Sequence, residues 1–322
     1  RAIGHYSYPM EIFLCEIKNQ IHGNNNIYIA YRNKIIANKF LYNKIKKDYI
    51  ILPRIILQPI FLFFNHIYVY NFIGKYFLAD YRHWTRNYTH DNPSQQIDVY
   101  DVLKKTPPTI VFTDTEKNLA TETLKKLNIN KDDNYVCIHP RTPYYYKKNN
   151  IIKKFKYQLR DSTKDNLIEA INYLDNENIK IVLLGEDIKN FHTNKKIIYY
   201  NKSNLKSDFL DIYLLSGCKY LVGNSSGMSM TPMIFRKKSL YINISEIHAL
   251  NFIDSFYKPL IVLKKFKSLK TGDYLPYSVV LEKKLSEVNY IEQLNEMGFD
   301  IEDNSNDEIL NATKEMNYFI DN

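Results

Sequence analysis

Between Tyr135 and Ile242 short runs of continuous apolar residues alternate with longer stretches of helical periodicity. The runs are Tyr135–His139 (YVCIH), Lys180–Leu184 (KIVLL), Ile197–Tyr200, Lys219–Val222 (KYLV) and Ser239–Ile242 (SLYI). Strands that are apolar at every position, not at every second one, belong to a parallel sheet covered on both faces. Between them the pattern predicts a helix capped by Ser162 and running through Asn176, with Leu167, Ala170, Ile171 and Leu174 on one face. Further helices are predicted over Asp208–Ser216 and from Ser226 to Phe235. Strands alternating with helices in this way define an open α/β sheet.

The N-terminal part follows the same logic less clearly. Asn26–Tyr31 and Tyr49–Leu52 read as strands around a helix at Asn33–Lys47. The polar stretch Asp80–Lys105, which carries Trp84 with His83, Arg86 and His90, reads as a surface loop, functional or merely mobile. Thr113 or Asp114 caps a helix to about Leu127, with Glu116 at its third position. Asn128–Asn134 is a polar hinge, and at 322 residues the chain suits two domains. We therefore expect two Rossmann-like α/β domains, residues 1–130 and 131–322, facing a cleft. Leu285–Met297 reads as one more helix, and the acidic tail from Asp300 as loosely packed.

Composition narrows the functional classes. The formal charge of +9 fits a polyanion, an acidic membrane surface or a phosphorylated substrate, but in so Lys-, Asn-, Ile- and Tyr-rich a chain solvated lysines account for it equally well. No arginine-rich tail or interleaved aromatic/basic motif is present, so no nucleic acid partner is expected. Cys15, Cys137 and Cys218 are widely spaced and read as reduced core residues, which points to the cytoplasm. The chain begins at Arg1, so upstream residues are expected to be missing. Ile50–Phe64 (IILPRIILQPIFLFF) is apolar but shorter than the roughly 20 residues of a spanning helix and holds Pro53, Arg54 and Pro59. A buried strand followed by a core helix is expected there, ahead of an interfacial helix lying on a bilayer. Peripheral contact with the inner face of the cell membrane is a further expectation.

In an open parallel sheet, ligands bind beyond the carboxyl ends of the strands. Three such ends are polar or glycine-bearing here: His139-Pro140-Arg141-Thr142, Gly185-Glu186-Asp187 and Gly223-Asn224-Ser225-Ser226-Gly227. In the last, Gly223 and Gly227 permit positive φ and close backbone approach, and the amides of a following helix present donors to a phosphate. Neither GxxxxGK[ST] nor GxGxxG occurs. Arg141 supplies a planar fork for two phosphate oxygens, and Arg160 is a second phosphate candidate. His139 contacts substrate or satisfies a backbone carbonyl. Asp208 and Asp211 complement a helix dipole or hold a ribose hydroxyl, and Glu186 is open in the same way. The run Tyr144-Tyr145-Tyr146 stacks on a base or sugar, or fills structure. At the N-terminus, Gly4-His5 precedes an apolar helix from Ile12. His5 and Glu11 are candidates for the base that deprotonates an acceptor hydroxyl, with helix capping equally open for Glu11.

These residues resemble a family of bacterial surface-polysaccharide glycosyltransferases with the GT-B architecture. The similarity is carried by RAIGHYSYPMEIFL (with Ala2 inserted), by HPRTPYYY followed by LRDS, and by SDFLDIYLLSGCKYLVGNSSGMSMTPMIF. His139-x-Arg141 is also similar to the arginine motif of GDP-fucose-dependent fucosyltransferases, where that arginine holds the donor pyrophosphate. The resemblance implies an interdomain cleft, a nucleotide-sugar donor on the C-terminal domain as co-substrate with no cofactor, a glycan or lipid-linked acceptor, and metal-independent transfer. The sequence adds one argument for the last point: no Asp-x-Asp pair is present to hold a divalent ion on a diphosphate. The alternatives are another phosphate-binding transferase or sugar-nucleotide enzyme, and a non-catalytic carbohydrate-binding protein of the same fold.

Overall fold

The fold was read from a computed structural model. It describes residues 3–23, 27–32, 36–48, 50–69, 72, 98, 100–141, 159–185, 191, 195–247 and 258–322. The N-terminal elements are α1 (Gly4–Lys18), β1 (Ile29–Arg32), α2 (Lys39–Ile45), β2 (Ile50–Pro53) and α3 (Arg54–Asn65). After a helical turn at Val102–Lys105 come α4 (Asp114–Lys126), β3 (Tyr135–His139), α5 (Ile168–Asn176), β4 (Lys180–Leu183), β5 (Ile197–Ile198), α6 (Asp208–Gly217) and β6 (Tyr220–Gly223). A single turn at Thr231–Ile234 leads to β7 (Lys238–Ile244), β8 (Leu260–Leu263) and β9 (Lys265–Ser268). The chain ends with α7 (Tyr277–Glu282), α8 (Ile291–Glu296), β10 (Phe299–Glu302) and α9 (Asn306–Asp321).

Six strands form one parallel sheet in the order β5-β4-β3-β6-β7-β8. From β3 the chain runs outward to β5, then crosses back to the other side of β3 and runs outward again to β8. The order reverses between β3 and β6, and in open α/β sheets such a switch point is where ligands bind, beyond the carboxyl ends of the strands. Burial of both faces explains why these strands are apolar at nearly every position, with Ser239 and Asn243 of β7 the buried polar exceptions among the described strand residues. Val136, Ile138, Ile181 and Leu183 face a core completed by Ala170, Ile171 and Leu174 of α5 and Ile309 and Met316 of α9. Cys137, Val182 and Leu221 face the opposite core, completed by Leu210, Leu214 and Leu215 of α6. A third core joins Tyr8, Ile12 and Cys15 of α1 to Leu41, Leu103, Ile212, Met233 and Ile234, so the N-terminal elements pack against α6 and the 231–234 turn.

The mixed α/β fold with a large parallel sheet flanked by helices is as expected, and the Thr113–Glu116 capping box is present at α4. Elsewhere the structure differs. Ser162 does not cap α5; a 3-10 turn at Asp165–Leu167 precedes that helix, and the Ser162 hydroxyl accepts a bond from Asn224 Nδ2 instead. The helix expected over Leu285–Met297 is broken, with a 3-10 turn at Leu285–Glu287 and α8 starting only at Ile291, because Val288 is extended and the Asn289 carbonyl accepts from Leu159 N. The tail is not loose: Ser305 and Glu308 form a capping box, and α9 buries Ile309, Ala312 and Met316. The apolar helix α3 forms, but it is not a core helix, since Ile55, Ile56, Ile60, Leu62 and Phe63 are exposed. Among the described residues the N-terminal strands make a two-stranded parallel sheet, β1 with β2. Trp84, His83, Arg86 and His90 lie outside the described residues.

Candidate functional site

At the switch point, His139 of β3 and Gly223 of β6 are register partners. A Cβ on Gly223 would lie 2.9 Å from the His139 carbonyl oxygen and 3.1 Å from Ser229 Oγ. Glycine is needed there for space. The positive φ expected at Gly223 and Gly227 occurs at neither; along this edge it is found at Gly185, with φ 101°. Nor does a helix begin at Ser226. Residues 225–230 are bends and turns, and only the four residues Thr231–Ile234 are helical, so no helix N-terminus follows directly on the Ser225-Ser226 turn.

The turn is organised by side chains. Asn224 is fully buried; its Oδ1 accepts from the Arg141 backbone N–H at 3.1 Å and its Nδ2 donates to Ser162 Oγ at 3.0 Å. Its carbonyl accepts from Ser229 Oγ at 2.6 Å. Ser226 Oγ lies 2.9 Å from Ser229 Oγ and 3.3 Å from His139 Nδ1. Thr231 Oγ1 donates to the Gly227 carbonyl. The segments at 139–141, 159–162 and 223–229 are thereby locked into one unit.

Arg141 is beside the 223–227 turn, but its side chain is only 6% exposed and its Nε is 3.7 Å from Asp161 Oδ1. Asp161 belongs to a larger buried set. Lys264 Nζ donates to the Asp161 carbonyl and to Asp303 Oδ1, both at 2.7 Å, and Thr163 N–H donates to Asp303 Oδ2. Burial holds the Lys264 ammonium below the usual lysine range, with Asp303 and Asp161 acting against it. A guanidinium directed at a buried carboxylate has part of its charge compensated, so Arg141 is not the open phosphate fork that was expected. Arg160 is more accessible and pairs loosely with Glu246 at 3.4 Å.

Sequence reasoning passed over Lys206. Its Nζ donates to the Gly185 carbonyl at 3.1 Å, at the end of β4, and its charge reaches His139. A neutral carbonyl leaves the ammonium's charge in place. The only sequence signal was a lysine just before the α6 cap, Ser207, in a chain crowded with lysines. Burial first, then the charges of Arg141 and Lys206, push the His139 imidazole down to about 4, so it is neutral at physiological pH.

Two other candidates turn out to link elements. Asp208 Oδ2 accepts from Lys39 N–H at 2.7 Å and the Asp208 carbonyl accepts from Asn38 Nδ2, tying α6 to the start of α2 and not to a ribose. Asp211 accepts from the Tyr200 hydroxyl at 2.8 Å. Glu11 is 1% exposed. Its carboxylate pairs with Arg236 Nη1 at 3.0 Å and accepts from the Thr109 N–H at 2.9 Å and from the Thr109 hydroxyl. Arg236 also donates to the carbonyls of Leu103, Thr106 and Ile234. With both oxygens engaged, Glu11 is a strut and not a base. Beside it, burial and the Glu11 charge push the Cys15 thiol up to about 12. His5 lies in the first turn of α1. Ser225 sits half-buried in the turn. Glu186 and Tyr144–Tyr146 lie outside the described residues.

No family model matches the chain. No curated protein matches it either. Among solved structures it is similar to the dodecameric iron-containing heptosyltransferase TibC in complex with ADP-D-β-D-heptose, at 13% identity and a TM-score of 0.35, over 59% of this chain and 46% of that one. A structure of TibC from enterotoxigenic E. coli H10407 is similar at 19% identity and a TM-score of 0.29, over 44% of this chain and 34% of that one. E. coli ADP-heptose LPS heptosyltransferase II is similar at 10% identity and a TM-score of 0.45, over 82% of this chain and 88% of that one. The chain thus spans less than half the length of the TibC chains it matches.

Proposed function

We propose that this chain is a glycosyltransferase of GT-B type that takes a sugar from a nucleoside-diphosphate donor to a surface-glycan or lipid-linked acceptor. The observation that carries the reading is the convergence of His139-Pro140-Arg141 with Gly223–Ser226 at the switch point, where Lys206 adds an ammonium. A diphosphate leaving group gathers negative charge as the glycosidic bond breaks, and fixed cations and dipoles lower that barrier when they are in place beforehand. Lys206 supplies the charge and Arg160 adds to it at the rim. The locked 224–229 turn supplies hydroxyls from Ser225 and Ser226. Arg141 aligns the strand end through its amide and supports the field from behind. Neutral His139 acts by hydrogen bonding and not by charge.

In this reading residues 131–322 hold the donor and residues 1–130 face the acceptor, with His5 the remaining N-terminal candidate for the base. Transfer is metal-independent, because no Asp-x-Asp pair is present. Titration calorimetry against GDP, UDP, ADP and CMP tests the proposal. One nucleotide is expected to bind, with or without EDTA, and roughly ten-fold more weakly to Lys206→Ala, the loss of about one charged contact. Absence of binding by all four at millimolar concentration overturns it.

A further inference from the structure

The surface around α3 carries a property that no transferase site requires. Helix α3 has apolar residues on two sides. Leu57 and Phe64 are half-buried on the side that meets β1 and β2. Ile55, Ile56, Ile60, Leu62 and Phe63 are exposed, Ile55 at 84% and Phe63 at 58%. At 3.6 residues per turn these five fall within an arc of about 160°. Tyr68, just beyond the helix, is exposed as well. Soluble surfaces scatter apolar residues singly; a continuous arc of large ones marks a contact face.

The charge around this face selects the partner. Residues 27–69 contain Arg32, Lys34, Lys39, Lys44, Lys46, Lys47 and Arg54 against a single acidic residue, Asp48. Lys44 is paired with Glu116, but Lys39, Lys46 and Lys47 are exposed. Lys46 and Lys47 lie in the 3-10 turn Lys46–Asp48 ahead of β2, and β2 runs straight into α3. An apolar arc in a lysine-rich stretch of chain has the two ingredients that an anionic bilayer surface selects: apolar side chains for the acyl boundary and ammonium groups for the headgroups. Among the described residues no helix is long and apolar enough to cross a membrane, so this helix lies on the surface.

We propose that the exposed face of α3, with the lysines preceding β2, docks the protein on a bilayer rich in anionic lipid. The inference is independent of the transferase reading, and its test needs no activity. The full chain is sedimented with vesicles of phosphatidylcholine alone and with 30% phosphatidylglycerol, at low and high salt. Binding is expected to the anionic vesicles, at least ten-fold tighter than to neutral ones, and to weaken with salt. Ile55→Asp/Phe63→Asp is expected to abolish it, and Lys46→Glu/Lys47→Glu to remove the preference for anionic lipid while the thermal midpoint of each variant stays near that of the parent. Both pairs are exposed, so folding is spared. Absence of vesicle binding, or binding unchanged in Ile55→Asp/Phe63→Asp, overturns the proposal. So does a dimer in light scattering that dissolves in that variant without vesicle binding, which would assign the face to a second copy of the chain.

Discussion

Asn224 holds the backbone of Arg141 at 3.1 Å and the hydroxyl of Ser162 at 3.0 Å with one fully buried amide. The amide therefore joins the end of β3, the end of β6 and the segment before α5. Asn224→Ala strands the buried Arg141 amide, worth about 1–3 kcal/mol when left unpaired, and removes the donor to the half-buried Ser162 hydroxyl. We expect a loss of about 2–4 kcal/mol in urea unfolding, with Asn224→Asp milder because it keeps the acceptor for Arg141. A loss below about 0.5 kcal/mol in Asn224→Ala would show that the amide does not organise the edge.

Gly223 faces the His139 carbonyl so closely that any side chain must move backbone. Gly223→Ala places a methyl group 2.9 Å from that oxygen and forces β3 and β6 apart at the switch point. The expected result is a drop in stability of about 1–3 kcal/mol, in line with overpacking elsewhere, together with loss of nucleotide binding. Gly272→Ala is the matched control, with open space around its Cβ and the strain of a positive φ only.

How far the sequence reached follows from what each residue had to satisfy. Strands β3, β4, β6 and β7 were legible because burial on two faces forces an unbroken apolar run, and α4 because its capping box is local. The meeting of the 139–141 and 223–226 segments was legible through the position of polar residues at strand ends. The roles of Glu11, Asp208 and Arg141 were not, because Arg236, Asn38 and Asp161 are their partners and two of the three lie far away in the chain. Lysine-rich composition concealed Lys206 for a different reason: an ammonium held at a strand end looks like any solvated one until its position is known. Helix α3 misled the reading because its outer face is as apolar as its inner one.

Glu11 and Arg236 give the sharpest separation of strut from base. Breaking a buried pair on one side leaves an uncompensated charge and costs about 3–5 kcal/mol. Glu11→Ala is expected in that range, and Arg236→Met close to it, since Arg236 also binds the carbonyls of Leu103, Thr106, Met233 and Ile234. The double variant should cost less than the two single losses added together. A Glu11→Gln variant with unchanged stability and abolished turnover in the proposed transfer would restore Glu11 as the base.

Arg141 and Lys206 should divide along the same line. Arg141→Ala leaves Asp161 buried beside Lys264 and is expected to unfold the edge, lowering stability by about 2–4 kcal/mol. Lys206→Ala removes a half-exposed lysine bonded to one carbonyl and should cost under about 1 kcal/mol while weakening nucleotide binding. Thermal unfolding with and without nucleotide reads both effects. Equal loss of stability in the two variants would contradict this division.

His139 sets a pH dependence whose sign is fixed. Its folded value of about 4 lies below the ordinary 6.5, because burial and the neighbouring Arg141 and Lys206 disfavour the charged ring. As pH falls through 6.5 the unfolded chain takes up a proton that the folded chain refuses, so unfolding becomes more favourable. The stabilisation is complete above that point and is lost progressively toward pH 4. Urea midpoints measured from pH 7.5 down to pH 5 should therefore fall, before most carboxylates begin to titrate. In His139→Asn, which keeps a polar group toward Ser226 but takes up no proton, the fall should be visibly shallower. Parallel curves for the two proteins would mean that the folded imidazole takes up its proton as readily as the unfolded one, so that burial and the neighbouring cations do not shift it.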